Sequence, residues 1–191
     1  MPSIKKAGRI VGNNLIFRNA DADDSAFIVS VRTDQRNRRF LSPTSTEIEE
    51  QVEWMRKYEI STDQAYFVIE DTSGRKAGTI RIYDQIGDSF CWGSWIIKDG
   101  MPSSYAVESA LILYRYALDI LGFTRSRFAI RKANRSVWQF MERFGGERTA
   151  ETETDYHYQT GKERVLKSFA RYSRFLPRPI EVINDPIPGP R

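Results

Sequence analysis

The sequence has a single cysteine, Cys91, and a single histidine, His157, among its 191 residues. One cysteine excludes an intramolecular disulfide and fits a reducing compartment. No apolar run is long enough to span a bilayer, and the first dozen residues lack the apolar core of a signal peptide. We therefore predict a cytoplasmic protein with no membrane partner.

The excess of positive charge is small, with 29 Lys and Arg residues against 25 Asp and Glu residues and a formal net charge of +4. Nucleic-acid-binding domains usually concentrate basic residues on one face, so nucleic acid is not a predicted partner. Apolar residues make up 40% of the chain and charged residues 28%, as in ordinary globular proteins. A chain of this length predicts a full hydrophobic core.

The hydrophobic periodicity predicts an α/β fold with the element order β-α-α-β-β-β-α-β-α-β-β, followed by a C-terminal helix. The predicted strands are 15–20, 65–70, 76–84, 89–98, 125–131, 147–150 and 155–160. The predicted helices begin after the acidic cap at 21–24 and at 46, 104, 134 and 162, and the helix that begins at 104 is predicted to end at 121. We divide the chain into an N-terminal extension (1–14), a domain (15–160), a basic helix (161–176) and a proline-rich tail (177–191).

Two helices carry specific expectations. Thr46 and Glu49 predict a capping box at the start of the helix that runs to residue 58. The last helix, predicted over 162–175, should bury Leu166 together with the other apolar residues of its inner face.

The segment from Trp92 to Leu111 predicts a strand, a short loop and a long amphipathic helix. A helix N-terminus behind such a loop directs backbone N–H groups and a positive dipole end at one point, which suits a pyrophosphate. The segment therefore predicts a site for a phosphorylated cofactor. The alternative is a capped strand-to-helix turn, for which Pro102, Ser103 and Ser104 suffice.

The same segment resembles the GNAT superfamily of acetyl-coenzyme A-dependent N-acetyltransferases. Gly93, Trp95 and Ile96 match the family strand Glu-Ile-Gly-Tyr-Trp-Ile. Ala106 and Glu108 match the end of the Arg/Gln-x-x-Gly-x-Gly/Ala loop and the helix start. We expect Glu108 to serve the helix dipole.

A second family motif, Asn-x-x-Ala/Ser-x-x-x-Tyr-Glu-Lys-x-Gly, matches Asn134, Glu142, Arg143 and Gly145. The resemblance covers nearly all of residues 15–160. It implies a GNAT-like mixed, mostly antiparallel sheet with helices on both faces, acetyl-CoA as cosubstrate and no metal. The resemblance is closer to the branch that acetylates amino sugars on nucleotide carriers, or other small amines, than to histone-type enzymes. The stretch 130–145 looks like enzymes found with surface-polysaccharide synthesis.

Four positions depart from the family pattern. Met101 and Ser104 replace loop residues, but a phosphate site built mainly on backbone N–H groups tolerates both changes. Cys91 stands where a glutamate is common, and Met141 where the family's tyrosine acid stands. The resemblance therefore leaves the proton-transfer groups open.

The resemblance also implies which residues contact the cofactor. The strand backbone would pair with the pantetheine arm as an added strand, and the loop would hold the phosphates. Asn134 would combine this contact with the N-cap of its helix. The predicted cofactor residues are Trp95, Ile96, Ile97, Met101, Ser103, Ser104, Tyr105, Ala106 and Asn134.

Candidate catalytic groups follow from the need to deprotonate an amine and protonate a thiolate. With no carboxylate at position 91, Glu70 or a water relay is the predicted base, and Tyr156 and Tyr158 are candidate proton donors, as is Tyr105. The lone Cys91 has no activating neighbour in the sequence. His157 is either a base or an ordinary edge-strand histidine.

Four arginines follow one another between the first two helices: Arg32, Arg36, Arg38 and Arg39. This segment lines the acceptor side of the GNAT fold, so the resemblance implies that they bind a phosphate or carboxylate of the acceptor. The alternative is a solvated loop.

We predict direct transfer of an acetyl group from acetyl-CoA to the primary amine of a small acceptor in a ternary complex, with an amino sugar or nucleotide-linked amino sugar favoured. One alternative is acetylation of protein N-terminal or side-chain amines. Another is a non-catalytic regulatory domain that binds acyl-CoA. The length of the acyl group stays open, and the proline-rich tail could hold a second subunit in a homodimer.

Overall fold

The computed structural model describes residues 1–184. Within them, nine strands form one sheet: β1 Arg9–Val11, β2 Leu15–Asn19, β3 Ala65–Asp71, β4 Lys76–Ile86, β5 Ser89–Ile97, β6 Arg125–Arg131, β7 Glu147–Glu151, β8 Asp155–Gly161 and β9 Glu181–Ile183. The same residues form five α-helices: α1 Ser25–Thr33, α2 Ile48–Ile60, α3 Ser104–Arg115, α4 Arg135–Arg143 and α5 Lys162–Arg171.

The strand order in the sheet is β7-β8-β6-β5-β4-β3-β2-β1-β9. Only β5 and β6 pair in parallel, and the long α3 connects them. Every other neighbouring pair of described strands is antiparallel. This confirms the predicted mixed sheet, with the meander β3-β4-β5 at its centre.

The alternation of side chains along β3 explains why helices cover both faces. Phe67 and Ile69 belong to the larger core, which the apolar sides of α3, α4 and α5 complete. Tyr66 and Val68 point the other way and pack with Ile28 of α1 and residues of α2. Helices on both faces were predicted, and the two separate cores confirm it.

The starts of the first two helices differ in their caps. Asp21 forms a capping box with Asp24 ahead of α1, in agreement with the predicted acidic cap. The predicted capping box of Thr46 and Glu49 is wrong, because α2 begins at Ile48 after Glu47, which makes no side-chain cap hydrogen bond.

Two helices end earlier than predicted. The helix predicted over 104–121 is α-helical to Arg115 and then closes in a π turn, Tyr116–Ile120. The helix predicted over 162–175 ends at Arg171 and is followed by a separate 3-10 turn, Ser173–Phe175. Leu166 is exposed and not inward, because Val165 and Phe169, four residues apart, occupy the buried stripe of α5.

Both ends of the described chain join one edge of the sheet. β1 lies within the predicted N-terminal extension and pairs with β2, while β9 lies within the predicted tail and pairs with β1. Residues 185–191 of the predicted tail lie outside the described residues. Among residues 1–184, no helix is long and apolar enough to cross a membrane.

Candidate active site

The two parallel strands at the centre of the sheet pair only over their first residues. Their ladder runs from the pair Ser89–Arg125 to the pair Cys91–Arg127. Beyond Cys91 the strands diverge, so within residues 1–184 the side of β5 that faces β6 has backbone N–H and C=O groups without a strand partner. An extended ligand can pair with such an edge as an added strand.

A β-bulge lies at the point of divergence. Gly93 pairs with Arg81 and Ile96 pairs with Thr79, so β5 has one residue more than β4 in this interval. Ser94 lies in this bulge, and its φ is 47°. This is the left-handed region, which is energetically unfavourable for a residue other than glycine. The hydroxyl of Thr79 donates to the Ser94 carbonyl at 2.7 Å and holds the bulge in place.

The diverging strands enclose a cavity of about 100 Å³, which we term the slot. Trp92 and Trp95 line it from β5, and Phe128 lines it from β6. Met141 and Asn134 close it on the side of α4. The slot is therefore mainly apolar and runs beside a free backbone edge.

The N-terminus of α3 follows directly after β5. α3 begins at Ser104, and Ser103 makes no side-chain cap hydrogen bond. The Tyr105 N–H donates to the Pro102 carbonyl at 3.0 Å. The other N–H groups of the first turn have no acceptor within an α-helix, so this helix end can take an anion.

The position of α3 depends on a buried carboxylate, Glu108. One of its oxygens accepts from the N–H groups of Asn13, Asn14 and Leu15 at 2.8, 2.6 and 3.0 Å. The other accepts from the Asn14 side-chain amide at 2.9 Å. The expected dipole role of Glu108 is therefore replaced by a structural one, in which it fastens α3 to the turn between β1 and β2.

A second cavity of about 280 Å³, which we term the outer pocket, lies where the α1–α2 loop and α2 meet the sheet. Its lining includes Arg32 from α1, Trp54 from α2, Tyr66 from β3 and Arg81 from β4. Ser94 lines both the outer pocket and the slot. The two cavities therefore meet at the bulge.

Of the four predicted acceptor-binding arginines, only Arg32 lines the outer pocket. Its guanidinium donates to the hydroxyls of Thr44 at 2.7 Å, Ser42 at 2.9 Å and Ser94 at 3.2 Å. Arg32 thus fastens the α1–α2 loop to the bulge.

The other three arginines of that segment lie outside both cavities. Arg36 forms an ion pair with Asp99 of the loop before α3. Arg38 is exposed, and the guanidinium of Arg39 lies 4.5 Å from the ring centre of Phe40. The structure does not bring the four together as one anion site.

The predicted catalytic residues also lie outside both cavities. Glu70 accepts from the Arg18 guanidinium at 2.9 Å. The buried Tyr158 donates to Glu142 at 2.9 Å. The guanidinium of Arg148 packs over the ring of Tyr156. Each of these side chains is held in a structural contact.

Neither Cys91 nor His157 offers a nucleophile or base at the cavities. Burial raises the pKa of the Cys91 thiol, so less of it is thiolate at neutral pH. The predicted edge position of His157 is wrong, because β8 lies between β6 and β7. Residue 157 lines neither cavity.

Tyr66 and Arg81 were not among the predicted site residues, yet they line the outer pocket from directly opposite positions of β3 and β4. The available signal was a lone charged residue between Ile80 and Ile82 in a strand predicted to be central. Burial raises the pKa of the Tyr66 hydroxyl, so this group stays protonated at neutral pH and can donate a hydrogen bond.

A diverging pair of parallel strands beside a free helix N-terminus is the arrangement that the resemblance to acetyl-coenzyme A-dependent transferases predicted. The family model for the acetyltransferase (GNAT) domain matches residues 14–147. The chain belongs to this family and is an acetyl-CoA-dependent N-acetyltransferase.

Solved structures agree with this assignment. The chain is 30% identical to apo FdhC, a nucleotide-linked sugar GNAT, with a TM-score of 0.77 and coverage of 91% of this chain and 99% of that chain. A GCN5-related N-acetyltransferase from Brucella melitensis is 18% identical, with a TM-score of 0.74 and coverage of 91% and 87%. A chimera of the spermidine N-acetyltransferase SpeG from Vibrio cholerae and hSSAT is 15% identical, with a TM-score of 0.71 and coverage of 81% and 99%. The last two show the fold alone, and no curated protein matches the chain.

The residues present fit acetyl-CoA. The apolar slot and the free edge of β5 suit an arm that combines methylene groups with amides, and the N-terminus of α3 suits a pyrophosphate. Asn134 takes the N-cap position of α4 but makes no side-chain cap hydrogen bond, so the predicted cap is confirmed in position and not in its hydrogen bond. The same residue lines the slot. Within residues 1–184, no group of three or more His, Cys, Asp or Glu residues could hold a metal ion.

Proposed function

We propose that this enzyme acetylates the primary amine of an amino sugar carried on a nucleotide. The observation that supports it best is the meeting of the slot and the outer pocket at Ser94. An acceptor in the outer pocket can present its amine at the end of the slot, where the acetyl group would lie. The likeness to FdhC, a nucleotide-linked sugar GNAT, supports the acceptor class.

Acetyl-CoA supplies the acetyl group as a thioester. In our proposal the backbone of Trp95, Ile96 and Ile97 pairs with its pantetheine arm. The loop and first turn of α3, from Met101 through Ser103, Ser104 and Tyr105 to Ala106, hold its pyrophosphate. Because the two cavities meet, both substrates can be bound at once, and direct transfer in a ternary complex follows.

We assign the base to Glu50, on α2. Among residues 1–184 it is the only carboxylate that lines either cavity, and an amine must lose a proton before it attacks. Glu70, Tyr156 and Tyr158 receive no role in proton transfer, because they line neither cavity. Much of the acceleration would come from holding the two substrates together.

The test measures release of free CoA with a thiol reagent for four acceptor classes: nucleotide-linked amino sugars, free amino sugars, spermidine and peptide N-termini. We expect kcat/KM to be highest for the first class. Preference for peptides would favour the protein-acetylating alternative. Saturable binding of acetyl-CoA in calorimetry without turnover of any amine would favour the regulatory alternative.

The same assay tests the base. We expect Glu50→Gln to lower kcat by about 100-fold, the usual size of a general-base effect, while the Kd of acetyl-CoA stays unchanged. Glu49→Gln is the matched control, since Glu49 lies on the same helix but lines neither cavity. Equal kcat values for both variants would exclude Glu50 as the base.

Two coarser proposals accompany this one. A cytoplasmic location agrees with the single, unpaired Cys91. A homodimer held by the proline-rich tail stays a prediction, and the described part of that tail already pairs with β1 of its own chain. Sedimentation of the full chain would decide the oligomeric state.

A further inference from the structure

We propose that Arg81 and Tyr66 together bind the pyrophosphate of the acceptor's nucleotide carrier. The inference rests on the proposed function and assigns its acceptor specificity to two residues of the outer pocket.

The two residues direct two hydrogen-bond donors toward the same pocket. Tyr66 and Arg81 are register partners of β3 and β4, so their side chains project from the same face of the sheet. The Tyr66 hydroxyl and the Arg81 Nε are both buried, and neither makes a hydrogen bond of good geometry among residues 1–184, although Thr79 and Arg32 lie near the Tyr66 hydroxyl. Buried polar groups are nearly always paired in folded proteins, so this pair of orphaned donors indicates a ligand.

The guanidinium of Arg81 is held in place by aromatic rings. It lies 5.0 Å from the ring centre of Trp54 and 4.7 Å from that of Tyr83. No carboxylate pairs with it in the part of the chain that the structure describes. Arg18 shows the contrast, because it pairs with Asp24 at 2.7 Å and with Glu70 at 2.9 Å.

A desolvated cation without a counterion is unfavourable, and a bound anion removes this cost. Arginine presents several donors in a fixed plane that matches the oxygens of a phosphate. The hydroxyl of Tyr66 adds a donor from the neighbouring strand. Glu50 is exposed and forms no ion pair with Arg81 among residues 1–184. The site is therefore selective for an oxyanion.

Arg32 shares the pocket but does not offer the same site. Its guanidinium already donates to three hydroxyl groups of the loop and the bulge. It adds positive charge to the pocket without an orphaned donor. The oxyanion would therefore bind on the side of the pocket formed by Arg81 and Tyr66.

The experiment uses UDP and dTDP as probes of the full chain in calorimetry, and it compares nucleotide-linked with free amino sugars as acceptors. We expect Arg81→Met to weaken the Kd of either probe by about 10- to 100-fold, the effect of a lost charge-assisted hydrogen bond. KM for nucleotide-linked acceptors should rise by a similar factor. The Kd of acetyl-CoA and KM for free amino sugars should change by less than about twofold, because neither ligand contacts Arg81 in this proposal.

Three further variants control the result. Arg174→Met is the matched control, because the exposed Arg174 lies 4.7 Å from the ring of Phe175. Tyr66→Phe removes only one hydroxyl and should weaken both probes by about 3- to 10-fold. Arg81→Lys keeps the positive charge but not the planar guanidinium, and its Kd for both probes should lie between those of wild type and Arg81→Met. If Arg81→Met does not fold, Tyr66→Phe and Arg81→Lys provide the test.

The outcomes separate this inference from the proposed function. If the wild type uses nucleotide-linked acceptors and the variants bind UDP and dTDP equally well, the inference is wrong while the proposed function stands. If the wild type binds neither probe and prefers free amino sugars, the proposed function fails first. If Arg81→Met loses only acceptors that carry a sugar carboxylate, the site binds that carboxylate and the pyrophosphate assignment is overturned.

Discussion

Removal of the Glu108 carboxylate tests whether one buried side chain positions the cofactor helix. Its oxygens accept four hydrogen bonds from the turn between β1 and β2. In Glu108→Ala these donors lose their acceptor, but those of Asn13 and Asn14 are only partly buried and can regain water. The Leu15 N–H, in a fully buried bond, cannot.

The magnitude follows from that division. One buried N–H without an acceptor costs about 1–3 kcal/mol, and the loss of charge-assisted bonds to the partly exposed donors adds about 1 kcal/mol more. We expect Glu108→Ala to lower the free energy of unfolding by about 3 kcal/mol. For a chain of this size, that corresponds to a Tm lower by roughly 6–12 °C. Glu108→Gln keeps one oxygen acceptor and should lose about half as much.

Urea unfolding and thermal unfolding of the two variants provide the measurement, and acetyl-CoA titration reports on the N-terminus of α3. Glu49→Ala, on the exposed side of α2, is the control and should stay within about 0.5 kcal/mol of wild type. If Glu108→Ala unfolds within about 1 °C of the control, the carboxylate does not fasten α3 and the reasoning is wrong.

Two further predictions concern the bulge and the acid stability of the fold. A Cβ added at Gly78 would lie 2.0 Å from the Ile96 carbonyl oxygen, so Gly78→Ala must displace β5. We expect this variant to bind acetyl-CoA more weakly and to have a lower Tm. Gly161→Ala is the control: its Cβ meets no atom within 4 Å, and acetyl-CoA binding should stay unchanged. Burial alone would raise the pKa of Asp24, but hydrogen bonds from Arg18 and Lys76 outweigh burial and lower it below 3.8. The unfolded chain takes up this proton at a higher pH than the folded chain does, so Asp24 stabilises the fold above about pH 4, and this contribution is lost as the pH falls further. In Asp24→Asn, the free energy of unfolding, measured in urea between pH 2 and 5, should therefore fall less steeply with decreasing pH than in wild type. An equally steep fall would contradict the assignment.

The order of elements could be read from the sequence because it depends on local periodicity. Apolar residues alternate in β3 to β5 and recur every three or four positions in α3, and these patterns depend only on backbone geometry. The ends of helices were less predictable. Thr46 and Glu49 have the spacing of a capping box, yet the chain enters α2 one residue after Glu47, and only the loop before it decides that.

The catalytic and acceptor residues could not be predicted in the same way. Glu70 and Tyr158 have side chains suited to proton transfer, but Glu70 accepts a hydrogen bond from Arg18 and Tyr158 donates one to Glu142. The Arg32–Arg39 run looks like an anion site in sequence, while the outer-pocket arginine with an N–H that has no acceptor among residues 1–184 is Arg81, 42 positions beyond the end of that run. A strand pairing brings it beside Tyr66, and no local pattern encodes that pairing.

The sequence by itself determined the order of elements and the strand-loop-helix unit from Trp92 to Leu111, which depend on contacts between residues that are near one another in the chain. Its resemblance to a known family indicated the fold family and the helices on both faces. Only the tertiary structure decided where β5 leaves β6, that Ser94 lies between two cavities, and that the Tyr66 hydroxyl and the Arg81 Nε have no hydrogen-bond partner among residues 1–184. Those features depend on which distant segments meet, and on which polar groups burial leaves without a hydrogen bond.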